Sequence, residues 1–260
     1  METPRGTFAG QRCRADAPRS HVLLVPGWTG SKEDFTPLLP LLAAAGHDVT
    51  TYDQRGQFET PAAPDGDYSL DAFGADAVAV ARTLGDGPVH LLGHSFGGLV
   101  AQAAVLADVG AWRSLSLLCT GPGALGSTLG RPLDRMVAAL DAGVPMAEIQ
   151  ATLRGAALGT EPADIEAFLL RRFTANDRAS LRAITQHLVD APDRLDAVAA
   201  TGLPFWVGRG ERDDAWPHDV QDAMARRLGT TVHLVDAEHS PGVQNPQGLA
   251  DVWLPFLAAH

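Results

Sequence analysis

Ser95 lies in the pentapeptide G-H-S-F-G (residues 93–97), between two apolar stretches of different character. Val89–Leu92 is typical of a buried strand, and the Ala-rich stretch Leu99–Ala107 is typical of a helix. A strand that turns directly into a helix strains its turn residue and leaves room only for glycine beside it, which Gly93 and Gly97 supply. The pattern predicts a nucleophile elbow. Such a turn lifts the serine hydroxyl above the sheet, at the positive end of the following helix.

Apolar runs of strand length alternate with longer helical patterns along most of the chain, which indicates an α/β fold built from repeated β–α units. Several strands are continuously apolar, as expected in a mostly parallel sheet with helices on both faces. The predicted strands lie near Thr7–Ala15, His21–Pro26, Asp48–Asp53, Val89–His94, Ser114–Cys119, Pro204–Gly208 and Val232–Val235. The predicted helices lie near Asp34–Ala45, Ser69–Leu84, Phe96–Ala107, Asp219–Leu228 and Pro246–Ala258.

Residues 121–201 interrupt this alternation, because they contain no strand pattern. Their apolar residues recur at helical spacing, among them Leu133, Met136, Val137, Leu140, Ile149, Leu153, Phe168, Leu169 and Phe173. We predict a helical cap over the C-terminal ends of the strands, inserted into a core formed by residues 1–120 and 202–260. The alternative is that these helices pack into the main core.

Composition narrows the partners of the chain. Its 260 residues are 45% hydrophobic, enough for one large domain with a sizeable core. The 31 acidic residues outnumber the 20 basic ones and give a net charge of −11, which argues against nucleic acid as a partner. The N-terminus lacks the apolar segment of a signal peptide, and no apolar stretch is long enough to span a bilayer. We therefore expect a cytoplasmic protein without membrane contact.

Cys13 and Cys119 are the two cysteines, and they lie far apart without C-x-x-C spacing. Neither a disulfide framework nor a zinc site is indicated, so free buried thiols are expected. His218 lies near two aspartates, but no paired-histidine spacing supports a metal centre.

A serine nucleophile needs a base and a third group that orients the base. Among nine histidines, His239 is the best candidate, because it follows the strand Val232–Val235 in a loop ahead of the last helix. Such a loop lies at the sheet edge toward which the elbow points. His94 is expected to point toward the sheet and to pack there. His21, His47, His90 and His233 lie in or at the ends of predicted strands and are expected to be structural. His187 falls in the predicted insertion, and His260 is the last residue.

The acid is expected after another strand, between serine and histidine in chain order. The turn after Phe205–Gly208 is crowded with carboxylates. Asp213 is the first choice for the acid, Asp214 the second and Glu211 the third.

An oxyanion hole requires backbone N–H groups that are oriented in advance. Phe96, directly after the serine, is placed to provide one. The loop P-G-W-T-G (residues 26–30) follows a buried strand and offers a second through Trp28.

Together these features resemble the α/β-hydrolase family from about residue 20 to the C-terminus. The segment Y-D-Q-R-G (residues 52–56) adds the D-x-R-G pattern common after the second core strand of that family. The resemblance implies an eight-stranded, mostly parallel sheet with a variable cap that matches residues 121–201. It also implies that Trp28 and Phe96 bind the oxyanion and that no cofactor is required. Relatives often carry His-Gly where this chain has Pro26-Gly27, so the hydrogen bonding of that loop is expected to differ.

The sequence thus predicts a serine hydrolase that cleaves the carboxylic ester, thioester or lactone of a small apolar molecule through an acyl-enzyme on Ser95. Alternatives on the same triad are a carbon–carbon bond hydrolase and a cofactor-free haloperoxidase or perhydrolase. Haloperoxidases usually carry Met where this chain has Phe96. A different class is a receptor that binds a small molecule without turnover. The sequence carries no signal for an oligomeric state.

Overall fold

The computed structural model describes residues 1–125 and 127–260. Its strands are β1 (Glu2–Thr3), β2 (Gly6–Thr7), β3 (Gly10–Cys13), β4 (Ser20–Val25), β5 (His47–Tyr52), β6 (Val89–His94), β7 (Trp112–Leu118), β8 (Phe205–Gly210) and β9 (Val232–Val235). Its helices are α1 (Leu39–Ala44), α2 (Leu70–Ala81), α3 (Phe96–Ala107), α4 (Ser127–Asp141), α5 (Met146–Arg154), α6 (Ala163–Thr174), α7 (Arg178–Asp190), α8 (Leu195–Ala199), α9 (His218–Arg227), α10 (Pro241–Gln244) and α11 (Pro246–Ala259).

The central sheet has the strand order β3-β5-β4-β6-β7-β8-β9. Only its edge strand β3 runs antiparallel, and every other neighbouring pair is parallel. The predicted α/β-hydrolase fold with a mostly parallel sheet is confirmed. Because the order reverses beside β4, the loops after β4 and β6 leave the same edge of the sheet at a topological switch point, where α/β proteins bind ligands.

The sheet has seven strands among the described residues rather than the expected eight. The predicted strand Thr7–Ala15 is in fact two short strands. β2 pairs with β1 in a separate hairpin, while β3 pairs with β5. Phe8 lies between them and turns its ring into the core, where it meets Tyr52 edge to face at 5.7 Å. Burial of this ring bends the chain and separates the two pairings.

The predicted helix Asp34–Ala45 is also divided. A 3₁₀ turn spans Lys32–Phe35, and α1 begins only at Leu39. Pro37 has no N–H to donate, and Pro40 fits the first turn of a helix but not its interior. The two prolines therefore move the start of the α-helix toward the C-terminus.

Alternating residues of the central strands point to opposite faces of the sheet and pack into two separate hydrophobic clusters. Leu23 and Val25 of β4 pack with α2 and α3 on one face. Val22 and Leu24 pack with α1 and α11 on the other face. Helices therefore cover both faces, which explains why these strands read as continuously apolar.

Helices α4 to α8 occupy the segment between β7 and β8. Met136, Leu140, Ile149, Phe173 and Leu181 form a small cluster of their own. Leu133, Ile184 and Leu188 instead join the larger core cluster. The segment therefore has a hydrophobic cluster of its own and also packs against the larger core cluster. Its assignment as a cap separate from the α/β core stays a prediction. No helix in the described part of the chain is long and apolar enough to cross a membrane.

Candidate active site

Ser95 occupies a sharp turn between β6 and α3, with φ 57° and ψ −123°. A Cβ on Gly93 would collide with the carbonyl oxygen of Gly97 and lie 2.7 Å from the Cα of Gly98. A Cβ on Gly97 would collide with the carbonyl oxygen of Val25. The glycines are therefore required by close backbone approach, and the strained serine backbone matches the predicted elbow.

Ser95, His239 and Asp213 form one hydrogen-bonded series. The Oγ of Ser95 lies 3.0 Å from Nε2 of His239, and Nδ1 of His239 lies 2.7 Å from Oδ1 of Asp213. The carboxylate of Asp213 can only accept, so Nδ1 carries the proton and Nε2 is left to accept the serine hydroxyl proton. The arrangement gives the imidazole the tautomer that a general base requires.

Asp213 is buried in the turn after β8, whereas the sequence alternatives Asp214 and Glu211 are exposed. Its Oδ1 also accepts the N–H of Ala215, and its Oδ2 accepts the side-chain amide of Gln221. Burial alone would raise the pKa of Asp213, but the hydrogen bond and charge of His239, with the two amide donors, lower that pKa below its usual value. Asp213 is therefore ionised wherever the protein is folded near neutral pH.

His94 does more than the expected packing. Its Nε2 donates to the backbone carbonyl of His239 at 2.7 Å, and the two rings lie 5.0 Å apart. Burial and the nearby charge of His239 lower the pKa of His94 to about 4. This neutral imidazole holds the backbone of the His239 loop against the elbow.

The loop after β4 lies directly over Ser95. A Cβ on Gly27 would lie 3.1 Å from the Cβ of Ser95. Gln54 donates to the carbonyl of Pro26, and Gln57 donates to the carbonyls of Gly27 and Trp28. These two buried amides fix the carbonyl direction of successive peptide groups and thereby the direction of the N–H groups. On the other side of the serine, the N–H of Phe96 belongs to the first turn of α3, which has no partner within the helix.

The side chain of Trp28 reaches the segment between β7 and β8. Its Nε1 donates to Oγ1 of Thr185 at 2.8 Å, and the Thr185 hydroxyl donates to the carbonyl of Leu181 within α7. Thr185 is fully buried. Helix α7 therefore contacts the side chain of Trp28, the residue whose backbone N–H is the second candidate oxyanion donor.

Three potential metal ligands lie together beside the triad. Ligand atoms of His94, Cys119 and His239 are within 4.8 Å of one another. Burial raises the pKa of the Cys119 thiol well above its usual value, and the nearby charge of Asp213 adds to this effect. A metal would need the thiolate of Cys119 and would compete with Ser95 for His239. The chemistry of this set thus favours a neutral thiol packed behind the histidine.

The other histidines make structural contacts. The rings of His47 and His90 bond to the hydroxyls of Ser20 and Ser114. His187 and His218 each bond to a backbone carbonyl, and His233 stacks on Trp206. His218 meets the main chain of Asp213 rather than its carboxylate.

Sequence reasoning missed the amides Gln54, Gln57 and Gln221 and the hydroxyl of Thr185. Gln54 and Gln57 lie in and just after the D-x-R-G segment, which was the available signal for the first two. Nothing in the sequence connects Gln221 or Thr185 to the site, because their roles depend on contacts between distant elements.

Comparisons with known proteins identify the family and the fold of the chain. A family model described as the alpha/beta hydrolase family matches residues 22–252. The chain is 35% identical over 250 residues to the protein named carbamate hydrolase RutD in Variovorax paradoxus, covering 91% of each chain. It is 32% identical to N-formylmaleamate deformylase of Pseudomonas putida, covering 88% of each. A solved hydrolase from Pseudomonas aeruginosa has the same fold, with a TM-score of 0.83, 23% identity and coverage of 99% of this chain and 97% of that one.

Proposed function

Because the chain belongs to the α/β-hydrolase family, we propose that it hydrolyses a carboxylic ester, thioester or lactone of a small, largely apolar compound through an acyl-enzyme on Ser95. Its hydrolase character follows from the family. The proposal for the bond and the intermediate rests on one observation, the continuous hydrogen-bonded series from Ser95 through His239 to Asp213.

In this mechanism Nε2 of His239 accepts the proton of Ser95 while Oγ attacks the substrate carbonyl carbon. The C–O or C–S bond to the leaving group then breaks, and His239 returns the proton to the departing atom. Water, deprotonated by the same imidazole, attacks the acyl-enzyme and releases the acid. Asp213 remains ionised throughout and stabilises the imidazolium.

The backbone N–H groups of Trp28 and Phe96 are the proposed donors to the tetrahedral oxyanion. Removing one such donor typically raises the barrier by about 2.7–4 kcal/mol. The buried amides of Gln54 and Gln57 support this role, because they hold the Trp28 loop in position before substrate arrives.

A second candidate is hydrolysis of an acyl C–N bond, as in a carbamate or an N-formyl group. The names of the two relatives favour it. The same triad serves this reaction, since His239 can protonate a nitrogen leaving group as it protonates oxygen.

A fluorophosphonate probe tests whether Ser95 is an activated nucleophile. We expect the native chain to be labelled on Ser95 and the Ser95→Ala variant to fold without being labelled. We expect Asp213→Asn to lower kcat by about 10⁴-fold, because the base loses its correct tautomer. Asp214→Asn is the matched control and should retain activity. An unlabelled native serine would refute the mechanism and favour a receptor.

A substrate panel separates the bond classes. It contains 4-nitrophenyl esters of graded acyl length, lactones, acyl thioesters, an aryl carbamate and an N-formyl amide. A greater kcat/KM for esters, thioesters or lactones than for the carbamate and the N-formyl amide supports the main proposal. The opposite preference supports the second candidate. Carbon–carbon cleavage of a diketone or halide-dependent peroxidation would assign the triad to the alternatives. A cytoplasmic location, a cofactor-free reaction and a small-molecule partner without nucleic acid or membrane stay predictions.

A further inference from the structure

A cavity of about 160 Å³ lies between the loop after β4 and helices α5 and α6. Its polar wall consists of Thr29, Gln150, Arg154 and Arg172, and three apolar side chains complete it. We call it the α5–α6 cavity. Thr29 directly follows Trp28, so the cavity begins one residue from a proposed oxyanion donor.

Gln150 is the first sign that the cavity receives a ligand. The residue is 5% exposed, and its side-chain amide makes no hydrogen bond to any group that the structure describes, a set without residue 126 and the side chains of residues 127–131. The amide of Gln150 has two N–H donors and one carbonyl acceptor, so it keeps its hydrogen-bonding capacity for a group that enters the cavity. A polar ligand in the cavity could bond to this amide.

The two guanidinium groups are the second sign. Arg172 uses Nη1 to bind Asp34 at 2.6 Å, and Arg154 uses Nη2 to bind Glu166 at 2.7 Å and the carbonyl of Ala157. In the described part of the chain, the other nitrogens of both groups make no hydrogen bond. A guanidinium has five N–H donors, so each keeps donors for a further acceptor.

The charge of the wall decides the kind of acceptor. Asp34 and Glu166 each pair with one of the two guanidinium groups, but neither carboxylate lines the cavity, so the donors that face it meet no acidic side chain there. Two guanidinium groups, an amide and a hydroxyl together favour an anion with planar acceptor oxygens. A carboxylate fits this set and a volume of this size.

We propose that the α5–α6 cavity binds a carboxylate carried by the substrate itself. This inference rests on the proposed function and sharpens it, because the substrate then has an acyl group at Ser95, a short apolar middle and an acid at its far end. The reaction would release a dicarboxylic acid from a half-ester, or open a lactone that bears an acid group.

Pairs of methyl esters test the proposal. Monomethyl butanedioate, pentanedioate and hexanedioate each carry the acid, and methyl oxoalkanoates of equal length replace it by a neutral methyl ketone. We expect at least one acid to be hydrolysed with about tenfold or greater kcat/KM than its neutral partner. Equal kcat/KM within all three pairs would overturn the proposal.

Variants assign the preference to the cavity. Gln150→Leu and Arg172→Gln should each reduce it by about tenfold while changing hydrolysis of the neutral esters little. Gln150→Leu breaks no ion pair, so it remains informative if loss of the Arg172 pair to Asp34 impairs folding. The matched control is Arg171→Gln, an exposed neighbour on the same helix that does not line the cavity. A preference that survives both cavity variants would contradict the assignment.

Binding without turnover separates this inference from the proposed function. In the Ser95→Ala variant, at least one of the three dicarboxylates should raise the Tm, and the corresponding diamide should not. The added Gln150→Leu change should remove the effect. If the native Ser95 is not labelled by the fluorophosphonate probe, the proposed mechanism fails. The Tm shift with dicarboxylates then still shows whether the α5–α6 cavity binds a carboxylate. If Ser95 is labelled and no dicarboxylate shifts the Tm, the inference fails alone.

Discussion

The backbone of Ser95 shows how single residues determine this site. A non-glycine residue at φ 57° is strained, and the surroundings must hold it there. The N–H of Ser95 donates to the carbonyl of Leu118, and the carbonyl of Ser95 accepts the N–H of Gly98. The strain is thus sustained by two main-chain bonds and by the close contacts around Gly93 and Gly97.

Gly93→Ala should destabilise the protein strongly. Its added methyl would meet the backbone of Gly97 and Gly98, which cannot move without opening the turn. We expect the free energy of unfolding in urea to fall by about 3 kcal/mol or more. Gly87→Ala is the control, because a Cβ there meets nothing within 4 Å, and it should change stability by no more than about 1 kcal/mol. Similar losses in both variants would contradict the crowding argument.

At the residue scale, the residues that could be predicted from the sequence are those that strand topology brings to one edge of the sheet. Ser95, Asp213 and His239 follow different strands, and parallel strands bring their C-terminal ends to one edge. The role of His94 was not predictable, because its bond to the His239 carbonyl depends on how two loops fold over each other. Gln150 was missed for the same reason, since only packing shows that its amide lacks a partner.

Helix α7 is the element that connects the inserted segment to the site chemistry. Thr185→Val removes the hydroxyl that receives the Trp28 indole while keeping the shape of the side chain. We expect kcat to fall by about three- to tenfold with little change in KM. Without the indole bond to Thr185, the backbone N–H of Trp28 is less firmly positioned to bind the oxyanion of the transition state.

Thr185→Ser restores the hydroxyl and should recover most of the lost activity. Thr174→Val is the control, because Thr174 is exposed and its hydroxyl bonds only to carbonyls of its own helix. If Thr185→Val and Thr185→Ser lose the same activity, the hydrogen bond has no positioning role.

Element boundaries were less predictable than element types. The strands β4, β6 and β9 fall close to their predicted positions, because apolar runs bounded by turn residues specify them well. The predicted boundaries in the N-terminal region were wrong where a buried ring or a proline overrides the local sequence pattern, as at Phe8 and Pro37. Such effects depend on tertiary packing and on single backbone groups, which periodicity does not record.

The whole molecule should lose stability as the pH falls below about 6.5. Burial, with the nearby charges of Arg113, His47 and His260, lowers the pKa of His90 to about 3. Burial lowers that of His94 to about 4. Between these values and 6.5 the unfolded chain binds protons that the folded chain does not, so acid favours unfolding over that window.

His90→Asn tests this dependence away from the site. Asn keeps a polar atom near Ser114 but does not titrate, so the difference in unfolding free energy between pH 7 and pH 5 should shrink by about 2 kcal/mol. Urea unfolding at both pH values measures it. The exposed His260→Asn variant removes only the smallest of the charges that lower the pKa of His90, so it should keep most of the native difference. An unchanged difference in His90→Asn would contradict the pKa shift as its cause.

The start of α7 is joined to the loop after β5. The Ser180 hydroxyl donates to the carbonyl of Arg55, the N–H of Asp177 donates to the carbonyl of Gly56, and Asp177 also accepts the Tyr68 hydroxyl. The inserted segment is thus anchored in its middle as well as where the chain enters and leaves it. Rotation of the segment about its two chain connections would therefore break these three hydrogen bonds, an energetic cost that a simply hinged insertion would not have.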